Sequence, residues 1–171
     1  MANLITKDDF GAYVQWSNNI PSANVDYHCA DSQNFDVEPI MPTAVVSGNN
    51  MLTDIIAALA ESPATKPELI AFYEAYVKPL LVLNAYRRFL LVHGINITQF
   101  GSRVNNEETT NEISDKRRAE IMADAESKAN VYLAKMSAAL KLADYTYDSI
   151  VYDYQDCSTS KPRAKTRIAA I

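Results

Sequence analysis

Apolar residues recur at every third or fourth position in two long stretches of this chain, residues 68–92 and residues 114–143. This spacing is typical of amphipathic α-helices, whose apolar positions line one face. The recurring positions are Leu69, Phe72, Tyr73, Tyr76, Leu80, Leu83, Phe89 and Leu90 in the first stretch, and Ile121, Ala125, Ala129, Tyr132, Leu133, Met136 and Leu140 in the second. We therefore predict an all-α fold, a small helical bundle built on a long antiparallel hairpin of these two helices.

Local signals define the start and the shape of the first hairpin helix. Thr65 and Glu68 have the spacing of a capping box, and Pro67 suits the first turn, where its missing N–H costs nothing. Pro79 lies inside the helix and removes one backbone hydrogen bond, so we predict a kink near residues 75–79.

Shorter helices are predicted before the hairpin. Ser22 is a candidate N-cap for a helix over residues 23–35, which places Val25, Cys29 and Ser32 near one face. A further helix should start after Asn49 and Asn50, which are both cap candidates. Its predicted apolar stripe consists of Leu52, Ile55, Ile56, Leu59 and Ala60.

These elements divide the chain into three parts. Residues 1–21 are predicted to form an extended N-terminal arm with one helical turn, and residues 22–143 a helical domain. Residues 144–171 combine an extended, Tyr-rich segment with a basic C-terminal tail, because β-branched and aromatic residues favour strands. Within the helical domain, residues 94–112 form a long polar connection, which is typical of a functional or mobile loop. Ser114 is a candidate N-cap for the second hairpin helix.

Charge is distributed unevenly along the chain. The net charge is −5, which gives the whole protein no electrostatic attraction to nucleic acid. The tail, by contrast, has no acid after Asp156 and carries Lys161, Arg163, Lys165 and Arg167. Docking onto a protein, contact with DNA phosphates and plain disorder remain three open interpretations of this tail.

Candidate chemistry is sparse. The sequence has no phosphate-binding glycine motif, no zinc pattern and no nucleophile elbow, so we expect no catalytic, cofactor-binding or metal-binding residues and no enzyme activity. The lone histidines, His28 and His93, lack further ligands, and Asp26, Asp31, Asp36 and Glu38 could cluster without forming a metal cage. No signal peptide and no membrane-spanning apolar run is apparent, so we expect a soluble intracellular protein or a part enclosed in an assembly.

Interfaces are the more promising sites. The chain has ten tyrosines, and Tyr and Arg are enriched where proteins meet. Arg87 and Arg88 form either an ion-paired or solvated face or an arginine pair at a subunit contact. The candidate interface residues are Arg87, Arg88, Glu107, Glu108, Tyr152, Tyr154, Lys161, Arg163, Lys165, Arg167, Ile168 and Ile171.

Several segments together carry a family resemblance over about residues 5–142. They are Phe10-Gly11-Ala12-Tyr13-Val14, Asp31-x-Gln33-x-Phe35-Asp36-x-x-Pro39, Tyr76-Val77-Lys78-Pro79, His93-Gly94-x-Asn96-x-Thr98-Gln99-Phe100-Gly101 and the helix over residues 126–140. In these segments the chain resembles head–tail connector proteins of tailed phages, also called adaptor or neck ring proteins, and most of all the type carried by crAss-like phages.

The resemblance implies a structural role in the virion. Such proteins are made in the host cytoplasm and form a ring, usually a dodecamer, that docks beneath the portal. The ring extends the DNA channel without binding DNA specifically and links the head to the next neck or tail protein. The family implies no cofactor and no membrane. A monomeric helical adaptor or regulator that binds another protein is the alternative, and an enzyme without a recognisable motif is a third hypothesis.

Overall fold

A computed structural model describes residues 3–17, 20–45, 47–61, 66–93, 97–98, 101–102, 115–142, 146–147 and 150–153. The α-helices are α1 (Asp26–Asp31), α2 (Met51–Ala60), α3 (Pro67–Phe72), α4 (Lys78–His93) and α5 (Asp115–Leu142). The strands are β1 (Thr43–Ala44), β2 (Ile97–Thr98), β3 (Gly101–Ser102), β4 (Thr146–Tyr147) and β5 (Ile150–Asp153). Short 3₁₀-helices span Lys7–Ala12, Ser22–Asn24 and Glu38–Ile40, and π-helical turns span Ser32–Val37 and Tyr73–Val77.

The predicted all-α fold is confirmed, and its centre is the antiparallel pair α4 and α5. The first hairpin helix comprises α3, a π-helical turn and α4, so it runs from Pro67 to His93, close to the predicted residues 68–92. The stretch from Leu80 to Leu83 is buried on every side, as its apolar sequence predicts. The hairpin therefore supplies the middle of the core.

A π-helical turn lies just before Pro79, where the sequence predicts a kink. Within Tyr73–Val77 the backbone widens, and the Lys78 N–H donates to the Tyr73 carbonyl, five residues back. Pro79 has no N–H to donate and would press against the carbonyl of the preceding turn. A wider turn immediately before it accommodates that proline, and π-turns inside helices are commonly found at such points.

The structure confirms some of the predicted helix starts and not others. Asn50 is the N-cap of α2, since its side chain accepts from the Leu52 N–H at 2.9 Å. Ser22 is not a cap, because it lies inside a 3₁₀-helix whose N-cap is Pro21. α3 begins at Pro67 as predicted. Thr65 lies outside the described residues, as does Ser114, so the caps predicted there stay predictions.

The predicted face of the first helical stretch is confirmed. Val25, Cys29 and Ser32 are all fully buried, and the Ser32 hydroxyl donates to the Leu81 carbonyl at 2.9 Å. The stretch is longer than predicted, since helical turns continue to Ile40. By contrast, the apolar stripe of α2 was predicted wrongly at its end. Its buried face consists of Met51, Leu52, Asp54, Ile55 and Ala58, whereas Leu59 and Ala60 are exposed.

The N-terminal segment packs onto the hairpin. It contains one 3₁₀-helix near the predicted turn and buries Ile5 and Phe10 in the core. The Tyr73 hydroxyl donates to the Leu4 carbonyl at 2.5 Å, and Trp16 packs its ring 5.0 Å from that of Phe89. This segment therefore shares the core of the helical domain.

Strand pairing joins the segment that follows α5 to the helical domain. β5 pairs antiparallel with β1, with Thr43 opposite Asp153 and Ala44 opposite Tyr152. β4 pairs antiparallel with β5 on its other side. The strand predicted in this Tyr-rich segment is therefore confirmed. In the connection over residues 94–112, β2 and β3 form a short antiparallel pair, and the rest of that connection lies outside the described residues.

Candidate interaction surface

A bidentate ion pair joins the first helical stretch to α4. The Arg88 Nε and Nη2 atoms donate to the two carboxylate oxygens of Asp36, both at 2.7 Å. Asp31 lies 3.8 Å from the same guanidinium. The hydrogen bonds to Asp36 raise the pKa of Arg88, so this side chain stays charged. Parallel, charge-assisted bonds of this kind fix orientation more firmly than a single surface ion pair does.

Exposed apolar side chains lie near this ion pair or on the same side of α4 as Arg88. Phe35 is 66% exposed, and the Arg88 guanidinium lies 5.8 Å from its ring centre, within cation–π range. Leu91 and Val92 follow Arg88 by three and four positions on α4, which places them on the same side of the helix. They are 62% and 63% exposed. The six residues Asp31, Phe35, Asp36, Arg88, Leu91 and Val92 are called the Phe35 patch below.

Arg87 faces the other hairpin helix. Its Nη2 atom lies 3.2 Å from a Glu126 carboxylate oxygen, and its Nη1 atom lies 3.5 Å from the Asn84 side-chain oxygen. This contact links α4 to α5 at the rim of the core. The two neighbouring arginines therefore bind carboxylates on different elements, Arg87 on α5 and Arg88 on the first helical stretch.

The carboxylate of Asp54 is buried and accepts a hydrogen bond from the Tyr152 hydroxyl. Asp54 on α2 is only 6% exposed, and Tyr152 of β5 donates to its Oδ2 atom. The Asn49 side-chain amide lies 3.4 Å from the other oxygen. Burial and then the hydrogen bond to Asp54 raise the pKa of Tyr152, so the phenol stays protonated. The contact reinforces the β1–β5 pairing.

A further charged cluster joins the N-terminal segment to the hairpin. Lys78 lies 3.0 Å from Asp9 and 3.3 Å from Glu74. Burial opposes the charge on both Asp9 and Lys78, but their hydrogen bonds outweigh it. The pKa of Asp9 is therefore lowered, with help from the Thr6 N–H, and the pKa of Lys78 is raised. The cluster is structural in character, since it pins the 3₁₀-helix to the start of α4.

One groove on the described surface lies between the N-terminal segment, α4 and α5. Its volume is about 610 Å³. Charged residues of α5 on its wall form ion pairs within that helix, Arg117 with Glu120 and Lys128 with Asp124. The groove lining consists of Val14, Gln15, Tyr86, Arg117, Glu120, Ile121, Asp124, Ala125 and Lys128. This mixed lining suits a polypeptide surface better than a small apolar ligand.

Neither a metal centre nor an activated nucleophile is present among the described residues. No group of three or more His, Cys, Asp or Glu side chains in that part of the chain could hold a metal ion. Burial raises the pKa of Cys29 to about 12, so its thiol is protonated and unreactive at neutral pH. No helix in the described residues is long and apolar enough to cross a membrane.

Three of the predicted interface residues are described, and each is engaged within the chain. Arg87 and Arg88 are ion-paired, which is one of the two interpretations the sequence left open, and Tyr152 is bonded to Asp54. The remaining candidates lie outside the described residues: Glu107, Glu108, Tyr154, Lys161, Arg163, Lys165, Arg167, Ile168 and Ile171.

The sequence did not reveal which residues lie around Arg88 in the folded protein. Phe35 fell at the end of a weak helical pattern, and nothing local distinguishes it from a core phenylalanine. Asp36 was recognised as one acid of a possible cluster, but its partner Arg88 lies 52 positions further along. Leu91 was not among the positions singled out from the sequence.

Comparison with known proteins gives a family but no function. Residues 44–161, which are more than half of the chain, match DUF6712, a family of unknown function. The chain therefore belongs to this family. No curated protein and no solved structure matches it.

Proposed function

We propose that this protein is a structural subunit of a phage neck ring, which docks under the portal, extends the DNA channel and links the head to the tail. Its partners would be further copies of itself, in a ring that we propose to be a dodecamer, together with the portal and the next neck or tail protein. DNA would pass through the ring without specific binding. The proposed location is the head–tail interface of the virion.

The observation that carries this proposal is the Phe35 patch. Its three apolar side chains, Phe35, Leu91 and Val92, are each more than 60% exposed, whereas the neighbouring Phe89 and Leu90 are buried in the core. Exposed apolar side chains near an arginine are typical of a protein–protein contact. The bidentate bond to Asp36 holds the Arg88 side chain in place, so less conformational entropy is lost when a partner covers the patch.

The segments that carry the phage resemblance supply the second support. Asp31, Phe35 and Asp36 belong to the resembling segment around α1, and they are also members of the patch. The Tyr76-Val77-Lys78-Pro79 segment coincides with the π-helical turn and the start of α4. The resembling segments therefore include the exposed Phe35 and the π-helical turn before Pro79.

A mass measurement tests the proposal directly. The purified chain is analysed by native mass spectrometry alone and after mixing with the portal protein encoded in the same genome. We expect a complex of many copies with the portal, and we expect F35D to weaken it at least tenfold while A138D, at an exposed position of α5, does not. A chain that stays monomeric with the portal, or an F35D variant that assembles like the parent, contradicts the proposal.

A monomeric helical adaptor is the second candidate, and the groove beside α5 favours it. An amphipathic helix of a partner could lie between Val14 and Ile121, the usual arrangement for helix-in-groove binding. Under that hypothesis a substitution in the groove, such as I121D, would abolish partner binding, whereas F35D would leave it intact. The two variants therefore separate the two functions.

A further inference from the structure

The main chain of Leu4 is held by two buried side chains from distant parts of the sequence. The Leu4 N–H donates to the Gln33 side-chain oxygen at 3.0 Å, and the Leu4 carbonyl accepts from the Tyr73 hydroxyl at 2.5 Å. Gln33 is 2% exposed and Tyr73 is 3% exposed. Burial raises the pKa of Tyr73, so its phenol stays protonated and remains a donor. Both main-chain groups of one residue are therefore bound by side chains, as a neighbouring strand would bind them.

The residues on either side of Leu4 are also bound. The Asn3 side-chain amide donates to the Asp26 carbonyl at 3.0 Å, and Ile5 is buried in the core with only 1% of its surface exposed. Residues 3–6 belong to no helix or strand. This segment is thus held by one buried aliphatic side chain and by hydrogen bonds to its main chain, which is how proteins recognise extended peptides.

The two side chains that bind Leu4 both lie in π-helical turns, Gln33 in Ser32–Val37 and Tyr73 in Tyr73–Val77. Turns of this kind are rare and are frequently found at functional sites. We infer that Gln33, Tyr73 and the pocket of Ile5 form a peptide-binding site, which residues 3–5 of the same chain fill in this structure and which the same segment of a second copy can fill in their place. This site is called the Leu4 site below.

The contacts that follow Ile5 set a boundary for the exchanged segment. The Thr6 N–H donates to the Asp9 carboxylate at 2.8 Å, and Asp9 also lies 3.0 Å from Lys78 of α4. These contacts hold the 3₁₀-helix over Lys7–Ala12 independently of Leu4. Residues 3–5 can therefore leave the Leu4 site without the loss of a helix or a strand.

The chemistry of the Leu4 site defines its ligand. Departure of residues 3–5 would deprive Gln33 and Tyr73 of the Leu4 main chain and open the pocket of Ile5. Because buried polar groups need hydrogen bonds, the replacement must supply a main-chain N–H and C=O followed by an aliphatic side chain. The same segment of another copy meets these requirements, since exchanged identical elements form identical contacts. The inference goes beyond the proposed ring, because exchange between two copies does not require a portal.

A peptide tests the Leu4 site in the full-length chain. Ile5→Asp should release the chain's own segment, because a carboxylate is costly in an apolar pocket. An acetylated peptide of residues 3–8 should then raise the melting temperature of I5D by about 5–10 °C at a concentration of about 100 Kd, and should not change that of the parent. The matched control is this peptide methylated on the Leu4 nitrogen, which cannot donate to Gln33 and should have no effect. Ile5→Ser is the milder second variant if I5D does not fold.

Mixing two full-length variants tests the exchange between copies. I5D has an intact Leu4 site without a segment that fits it, whereas Tyr73→Phe weakens the site but keeps an intact segment. With Y73F isotopically labelled, native mass spectrometry should detect heterodimers at least tenfold more abundant than the homodimers of either variant alone.

Two outcomes would overturn the inference. If the peptide stabilises neither Ile5 variant, or if the methylated peptide acts equally well, there is no peptide-binding site at Leu4. If the peptide stabilises an Ile5 variant but no heterodimers form, a second copy is not the occupant. The portal experiment reports on the ring separately, since it uses the parent chain and does not depend on exchange.

Discussion

The Tyr152 hydroxyl donates a hydrogen bond to the buried Asp54 carboxylate, across 98 positions of the chain. This contact ties β5 to α2 and, together with the pairing of β5 with β1, holds the segment after α5 against the helical domain. The carboxylate is acceptable in its buried position because Tyr152 and Asn49 both supply donors.

Removal of this hydroxyl should therefore be costly. The substitution Tyr152→Phe leaves Asp54 buried with only the long contact from Asn49, and we expect a loss of about 1–3 kcal/mol of stability. Urea denaturation followed by circular dichroism measures the change. The double variant Y152F/D54N should lose less than the single variants predict together, because the two residues are coupled. An unchanged midpoint for Y152F would show that the contact does not hold β5.

The core of the hairpin can be tested at Leu83. This side chain is 1% exposed, so Leu83→Ala should destabilise the protein by about 2–5 kcal/mol through lost burial and the cavity left behind. Leu91 is the matched control, since it lies on the same helix but is 62% exposed. Leu91→Ala should change stability by no more than about 0.5 kcal/mol. Similar thermal melts for the two variants would contradict the placement of Leu83 in the core.

The Arg88–Asp36 pair should contribute little to the free energy of unfolding. It should, however, strongly protect the backbone of residues 32–37 from local opening. Both side chains are partly exposed, so we expect Arg88→Gln to cost about 1 kcal/mol or less. Arg88→Lys keeps the charge but cannot form two parallel bonds with Asp36, and it should therefore resemble R88Q. Hydrogen exchange of the backbone over residues 32–37 should accelerate in both variants. If R88K behaves like the parent in exchange, charge alone accounts for the pair.

Acid should selectively weaken the Asp9–Lys78 cluster. The pKa of Asp9 in the folded protein lies below its ordinary value of 3.8, so ionised Asp9 stabilises the fold above that value. This contribution is lost as the pH falls through the lower, folded-state pKa. The melting temperature of Asp9→Asn should therefore lie below that of the parent at pH 7, and the difference should shrink as the pH falls below 3.8. Asp8→Asn, at an exposed neighbour, should show no comparable difference. A difference for D9N that widens as the pH falls would contradict this linkage.

Local patterns predicted the elements well and their long-range partners poorly. The apolar repeat placed the hairpin helices to within a residue or two, and Asn50 is one of the two residues predicted as caps, because these features depend on neighbours in sequence. The extended segment that contains Tyr152 was also predicted, from its β-branched and aromatic residues.

Other features could not be predicted, because they depend on residues that meet only in the folded state. Arg88 is adjacent to Arg87 in sequence, yet the two bind carboxylates on different elements. The α2 stripe differs from the predicted one because Asp54, a polar residue, takes a buried position, where Asn49 and the distant Tyr152 supply its hydrogen-bond donors. Leu59 is therefore exposed, because the face of α2 that is buried is the one that carries Met51 and Ala58.

The bond between Tyr73 and the Leu4 carbonyl also bears on the order of events during synthesis. Leu4 leaves the ribosome long before Tyr73, 69 positions later, so the buried Ile5 and Phe10 must wait without their eventual neighbours. Contacts so distant in sequence form late, since closing a long loop costs entropy before any contact repays it. We therefore expect the nascent chain to expose this apolar segment until α4 has emerged, which makes the first residues of the protein a natural binding site for a chaperone.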